Sequence, residues 1–451
     1  MISFLIGVVG VLLTIFFIVG IHEFGHFIVA RLVGVKVLRF SLGFGKALIR
    51  WRDKKGTEYV LAPIPLGGYV KMLDEQEGPV PKDELAFAYN RQPYYKKFLI
   101  VAAGPFFNLL FAFFVYWILF TSGFISIAPI IGKVTPNSIA ANAGMVPNEE
   151  IISIDGTATT SWLNIAIRML YHVGDKDFLK ITTQNISTHK HHNYVLNLFS
   201  WKLDDLKPDP LESMGITPFE PVVPPIIGII SADSPAMQSG LKIGDRINTI
   251  NQVVIKDWMD VVTEVEKHPA QTIVFSIKRK NQIENIPVAI GTEGMFFSPK
   301  GYLGIAPNFE IPKYLIKHIQ YHPIAALKVA AVRTIDFTYL NLITFAKLIT
   351  GKVSVKSLGG PISVFGNAGS ALNLGIAPFL SFLAFISIAI GVINIIPIPG
   401  LDGGHLLFQT IETVMGKPIP VHILNFIYRL GIIFLLIIIS QAVINDLLRL
   451  T

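Results

Sequence analysis

Residues 1–21 carry no charged side chain, and this more than any other feature limits what the chain can fold into. At 1.5 Å per residue, about 20 helical residues cross the ~30 Å hydrocarbon layer of a bilayer. Three further stretches qualify. Residues 98–132 are free of charge, with an apolar core ending near Thr121; residues 357–401 are free of charge, with Leu374 to Ile396 apolar enough to cross; and Gly431 to Ile444 reaches spanning length if it runs back past a snorkelling Arg429. Four transmembrane helices are expected, at 1–31, 97–121, 374–410 and 422–447. The first lacks the basic start and small-residue cleavage site of a signal peptide and reads as a retained span. Pro323 to Thr350 holds Arg333, Asp336 and Lys347, so residues 320–352 are expected as an amphipathic helix along the interface or packed on the core.

Composition agrees: 51% of residues are apolar, 15% charged, and the mean hydropathy is +0.54. The net charge of +7 comes from dispersed basic residues, without the clustered or aromatic-interleaved runs of a nucleic-acid groove, so no nucleic-acid partner is expected. The lipid bilayer is the expected surroundings. Because the chain has no cysteine, a transition metal would have to be held by histidine and carboxylate. The loop from Arg31 to Lys97 has thirteen Lys or Arg against seven Asp or Glu. By the positive-inside rule it is cytoplasmic, which puts both termini and the segment between spans two and three outside.

That outer segment contains a repeat. At an offset of 96, Pro129-Ile-Ile-Gly132 aligns with Pro225-Ile-Ile-Gly228, Ser138 with Ser234, Ala140 with Ala236, Gly144 with Gly240, and Ile151, Ile154 and Trp162 with Ile247, Ile250 and Trp258. Two small domains are expected, at 127–220 and 221–310. The second copy, Ser234-Pro-Ala-Met-Gln-Ser-Gly240 through Gly244-Asp245, resembles the PDZ signature, whose groove takes peptide C-termini or extended segments by strand addition. The first copy has Ile139 for the proline and Asn148-Glu149 for Gly-Asp. Spacers, or a filter against bulky substrates, are alternative uses. His189, His191 and His192 read as part of a solvated loop rather than a metal tract.

The chemistry concentrates at His22-Glu-Phe-Gly-His26, which continues directly from span one. On a helix, His22 and His26 lie one turn apart and reach one ion, while Glu23 is placed to take a proton from water. Ionisable groups at the edge of a span are costly and are retained for function. A catalytic zinc needs a third protein ligand and an open position. Asp402 is the acid adjoining span three, in Asn394-Ile-Ile-Pro397-Ile-Pro399-Gly-Leu-Asp402-Gly-Gly404, where prolines and glycines break the helix. Capping of the following helix is the alternative role for Asp402, and His405 is expected to be supporting. A membrane metal transporter and a peptide-binding scaffold with a structural metal are the rival readings, and a His₂-carboxylate set also serves Fe²⁺ or Co²⁺.

Taken together, the span-one His-Glu-x-x-His, the span-three Asn-x-x-Pro-x-Pro-x-Leu-Asp-Gly, the paired PDZ-like domains and the four spans resemble the bacterial site-2 proteases over essentially the whole length. The resemblance implies a multi-span α-helical membrane protein with two small α+β PDZ-like domains and a membrane-associated β segment at 32–96. It also implies a Zn²⁺ metalloendopeptidase of the inner membrane. Its substrate would be the transmembrane segment of a single-span protein, such as an anti-sigma factor after a first cleavage in the sigma-E stress response, or a leftover signal peptide. On the same basis Ser41 to Gly45 and Trp51 to Met72, with Tyr69, look like membrane-dipping strands that hold unwound substrate. Asn394, Pro397 and Pro399 become substrate contacts, and Gly104-Pro105-Phe-Phe-Asn108 lies near the site.

Overall fold

The computed structural model describes residues 2–204, 208–295 and 298–450; the expected first span and both repeat domains include residues outside these ranges. Nothing between Ile2 and Leu32 interrupts a helix, and α1 (Ile2–Leu32) runs unbroken through His22 and His26. Gly34, at φ +89°, then turns the chain. Four helices among the described residues are long and apolar enough to span, at Ile6–Leu32, Tyr94–Ser122, Ile376–Ile395 and Val421–Arg449. The protein is a multi-span helical membrane protein.

After α1 comes a sheet of four strands, β1 (Val37–Phe44), β2 (Ile49–Arg52), β3 (Glu58–Leu61) and β4 (Ile64–Met72), in the order β2-β3-β1-β4. Strand β1 runs parallel to β3 and antiparallel to β4, so β4 and β2 are the edges of the sheet. Thr57 Oγ1 donates to Val37 O at 2.6 Å, and Arg31 pairs with Asp53, fastening the sheet to the end of α1. Its far rim exposes Phe44, Leu48, Ile49, Trp51 and Ile64, a patch suited to lipid and costly in water.

Helix α2 (Tyr94–Ser122) packs against α1 at close range. A Cβ on Gly25, inside the His-Glu-x-x-His motif, would come within 2.5 Å of Ala103 O. The two repeat domains follow, each with a four-stranded antiparallel sheet, and beside it one two-stranded ribbon in the first and two in the second. One helix of about three turns accompanies each sheet: α3 (Trp162–Tyr171) in the first, α4 (Trp258–Glu266) in the second. The offset seen in the sequence persists in the packing. Ile131, Ile151 and Ile154 in one core and Ile227, Ile247 and Ile250 in the other are all fully buried. Ser138 and Ser234 cap equivalent short helices, accepting from Ala141 N and Met237 N.

Of the three histidines expected in a loop of the first domain, His189 lies in one, and the other two are a correction. His191 and His192 begin a strand, and His192 Nδ1 donates to Oε1 of the fully buried Glu149 at 2.5 Å, while Thr183 and Tyr194 donate to its Oε2. A buried carboxylate needs several donors, and the strand supplies them.

Helix α5 (Pro323–Ile349) packs one face on α2 and on the first repeat domain. Arg168 pairs with Asp336 at 3.2 Å, Tyr171 Oη donates to Asp336 O at 2.9 Å, and the buried Lys347 reaches Asp175 at 2.8 Å. Its other face leaves Ile324, Val332, Ile335 and Ile349 exposed, as an interfacial helix would. The charge-free stretch 357–401, in which only Leu374 to Ile396 was expected to span, holds two helices. They are α6 (Pro361–Asn373) and α7 (Ile376–Ile395), separated at Gly375 with φ +117°. Glycines let α6 lie directly on α1: a Cβ on Gly10 would be 3.0 Å from Ala368 O. The motif segment then forms a turn rather than continuing span three. After it come α8 (Asp402–Met415) and α9 (Val421–Leu450).

Candidate metal centre

Each donor at the centre comes from a different reason to be there. His22 and His26 project from one face of α1 because four residues make a little over one turn. Asp402 opens α8, yet its side chain does not cap that helix. It points across to α1, with Oδ2 3.1 Å from His22 Nε2 and 3.3 Å from His26 Nε2. The two Nε2 atoms are 3.3 Å apart. Two zinc bonds of ~2.0–2.1 Å meeting at a tetrahedral angle put their donor atoms about 3.3 Å apart, so this triangle has the edge lengths of one face of a zinc tetrahedron. Asp402 Oδ2 is buried and has no hydrogen-bond donor among the described residues. An acceptor so placed fits a cation. No other group of three potential ligands converges in this way among the described residues.

Glycines make the trio possible. A Cβ on Gly104 of α2 would lie 2.3 Å from His26 Nε2 and 2.9 Å from His22 Cε1. On the Asp402 side, Cβ atoms on Gly403 and Gly404 would come within 2.3 Å of Ile395 O and 2.4 Å of Ile398 O, so the turn closes only with glycine. The far nitrogens of the rings are held too. His26 Nδ1 donates to Ile100 O at 2.8 Å, and the Asn108 amide lies 3.3 Å from His22 Nδ1. Ser387 Oγ on α7 donates to Asn108 O at 2.9 Å, tying spans two and three behind the centre. Such contacts to the second nitrogen set which ring atom faces a metal.

Glu23 sits beside the trio and makes no hydrogen bond to protein among the described residues. Strand β4 covers it: a Cβ on Gly68 would be 2.8 Å from Glu23 Cγ. Tyr69, the next residue, points to the other face of the sheet. There it stacks on Phe44 with ring centroids 6.2 Å apart and accepts from Arg39 at 3.1 Å. Asn394 turns its amide back onto Ile390 O at 3.1 Å, within its own helix. Pro397 is exposed, whereas Pro399 packs where α9 approaches, 2.2 Å from a Cβ placed on Gly431. The structure thus brings together His22, Glu23, His26 and Asp402, and leaves Tyr69, Asn394, Pro397 and Pro399 around them without direct contact to the trio.

His405 stands outside the converging atoms and shares a hydrogen bond with Tyr428 of α9 at 3.0 Å. Nearby, Gln409 of α8 donates to Tyr89 Oη at 2.7 Å. Burial pushes the Tyr89 phenol up to about 12, so it stays neutral as the acceptor that anchors α8. The supporting parts not foreseen from the sequence are the approach of Gly68 to Glu23, within strands expected only to hold substrate, and the Ile100 carbonyl. Neither carries a chemical signal of its own.

Two imidazoles, one carboxylate and a free glutamate at the edge of a span make up the apparatus of a metal-dependent hydrolase built into a membrane. Comparison with known proteins agrees. Peptidase family M50 matches residues 10–438. The chain is 38% identical over 451 residues to the regulator of sigma E protease of Salmonella typhimurium (strain LT2), and 37% identical over 451 residues to the regulator of sigma-E protease RseP of Escherichia coli (strain K12), with 100% of both chains covered in each case. It is 36% identical to the regulator of sigma E protease of Haemophilus influenzae, over 99% of this chain and 100% of that one. Among solved structures, the PDZ domain of an SdrC-like protein of Listeria monocytogenes matches 18% of this chain and 85% of its own at 18% identity and a TM-score of 0.17. The chain belongs to Peptidase family M50. It is an inner-membrane metalloprotease of the site-2 type, and zinc is its cofactor.

Proposed function

We propose that this enzyme cleaves a peptide bond within the transmembrane segment of a single-span membrane protein, with His22, His26 and Asp402 as the zinc ligands and Glu23 as the general base. The observation that carries this reading is the triangle of donor atoms, 3.1–3.3 Å on each edge, with an uncommitted glutamate beside it. When bound there, zinc would supply Lewis acidity, polarising the scissile carbonyl and lowering the pKa of water toward ~7. The Glu23 carboxylate takes the proton from the attacking water and delivers it to the leaving amide nitrogen. The Ile100 carbonyl accepts from His26 Nδ1–H, which keeps that ring's Nε2 lone pair turned to the centre, while the Asn108 amide nitrogen, 3.3 Å from His22 Nδ1, flanks the other ring.

A transmembrane helix shields its carbonyls in hydrogen bonds, so the substrate must unwind where it is cut. The edge strand β4 lies against Glu23 through Gly68, and an extended substrate adding to that edge would pass the base. Tyr69, Asn394, Pro397 and Pro399 are proposed to line its path, with Asn394 released from Ile390 O to donate to the substrate backbone or the developing oxyanion. The basic loop 31–97 favours a centre near the cytoplasmic face and repeat domains outside. In the first domain α3 is engaged by α5, which suits a filter, and capture of peptide ends falls to the second.

The names of the relatives point to the sigma-E response. The substrate proposed is therefore an anti-sigma factor already trimmed outside by another protease, with remnant signal peptides as further substrates. The test is Glu23→Gln in purified, detergent-solubilised protein with a single-span model substrate. Zinc should stay and cleavage should vanish. Undiminished cleavage removes Glu23 from the mechanism.

A further inference from the structure

A second chamber lies at the end of α2 remote from the metal centre. From Asn108, beside His22, to Phe120 is twelve helical residues, or about 18 Å at ~1.5 Å each. Here a cavity of about 600 Å³ opens between the end of α2, the start of α3, the start of α7 and the middle of α5. Its volume falls in the ~300–1,000 Å³ range of small-ligand sites. Leu119, Phe124, Ile319 and Val329 give it apolar walls, and at its margin Ile125 and Leu163 are exposed.

Two polar groups on this lining are not provided for by the protein. Arg333 lies over the rings of Phe120 and Phe337, at 5.8 and 5.7 Å, and donates to Asn164 Oδ1 at 2.5 Å. Among the described residues it has no carboxylate within ion-pairing distance, because Asp336 on the same helix is held by Arg168. The Tyr116 hydroxyl, on a ring stacked 6.0 Å from that of Phe337, is buried without a hydrogen-bond partner. Half-buried cations are normally paired, and buried hydroxyls normally bonded. An acceptor with negative charge would satisfy both, and the walls call for an apolar body attached to it. The chamber sits where two spans leave the hydrocarbon, so the surrounding bilayer offers molecules of that description.

We propose that this chamber binds one anionic phospholipid, its phosphate on Arg333 and Tyr116 and one acyl chain along Phe120, Phe124 and Ile319. A lipid held there touches α2, α3, α5 and α7 together and fixes the first repeat domain to the membrane end of the spans.

The test uses full-length protein in neutral detergent, with native mass spectrometry and thermal unfolding as readouts. The probes are phosphatidylglycerol, phosphatidylcholine and inorganic phosphate. One phosphatidylglycerol should be retained per chain, at least tenfold more tightly than phosphatidylcholine, and inorganic phosphate at the same concentration should give no stabilisation. Arg333→Gln should abolish the preference between the two lipids. Ser381→Trp, which fills the chamber from α7 and leaves the Arg333 charge in place, should reduce retention at least tenfold at unchanged zinc content. Equal retention of the two lipids, or a preference that survives Ser381→Trp, overturns the proposal. So does stabilisation by inorganic phosphate equal to that by lipid, which would assign a free anion, or displacement of the lipid by an acidic single-span peptide. If Arg333→Gln does not fold, Ser381→Trp decides alone.

Discussion

Gly104→Ala adds one methyl group to α2 and should cost the enzyme its metal. The new Cβ would stand 2.3 Å from His26 Nε2 and 2.6 Å from His26 Cε1, where ordinary contact begins at 3.4 Å. The ring must therefore retreat by about 1 Å, at the steep end of the repulsive wall. It cannot do so freely, because its Nδ1 is bonded to Ile100 O at 2.8 Å. Zinc–ligand distances tolerate only about ±0.2 Å, so such a retreat removes one ligand from the tetrahedron. Supporting-residue mutations cost roughly 10–100-fold in metal affinity, and displacement of a ligand itself belongs at or beyond the upper end, about 2.8 kcal/mol or more. Helix propensity works the other way, since alanine is favoured over glycine by ~1 kcal/mol in a helix. The assay is a chelator-competition titration of zinc in purified protein, with helicity checked by circular dichroism. Helicity should be unchanged and zinc affinity at least 100-fold weaker. Affinity within threefold of the parent would show that the imidazoles are not held where the triangle requires.

Gly68→Ala sets its methyl 2.8 Å from Glu23 Cγ and 2.7 Å from Ser41 O, so it should lower cleavage at least tenfold while zinc content stays at one per chain. Phe275→Ala, in the fully buried core of the second repeat domain, should destabilise that domain by about 3–5 kcal/mol and leave zinc binding intact, read by limited proteolysis beside metal analysis. Although burial raises the Asp175 carboxyl, Lys347 and Lys352 prevail and hold it below the usual range. A depressed folded pKa means stability present above the unfolded value of ~3.9 and lost as pH falls through the folded one. Docking of the first domain on α5 should therefore loosen on acidification below about pH 4, measured by hydrogen exchange at α3, and Asp175→Asn should loosen it already at neutral pH.

How far the sequence could be read depended on whether a feature announces itself locally. The helix through His22 and His26 was legible because no breaker occurs between Ile2 and Leu32. Asp402 was legible because residues 357–401 contain no charge, which isolates it as the acid at the end of span three. The repeat was legible because its buried isoleucines recur at a fixed offset. The parallel pairing of β1 with β3 was not, since it joins strands across the β2 hairpin and leaves no periodic trace. Helix α6 was hidden within an apolar run, where the break at Gly375 looks like any other glycine. Gly104 and Gly68 each fell within a stretch picked out by pattern, but their roles did not show, because their contribution is the absence of an atom, visible only once a neighbouring helix or strand is in place. His192 was misread for a related reason: its partner Glu149 lies 43 residues away on a neighbouring part of the sheet.

The claim that His22, His26 and Asp402 share one ion is tested most directly by X-ray absorption at the zinc edge on purified enzyme. Two imidazole nitrogens and one carboxylate oxygen at about 2.0–2.1 Å, with a fourth light atom from water, are predicted. A third imidazole, which would bring in His405 in place of Asp402, or a shell with fewer than two imidazoles, would contradict it.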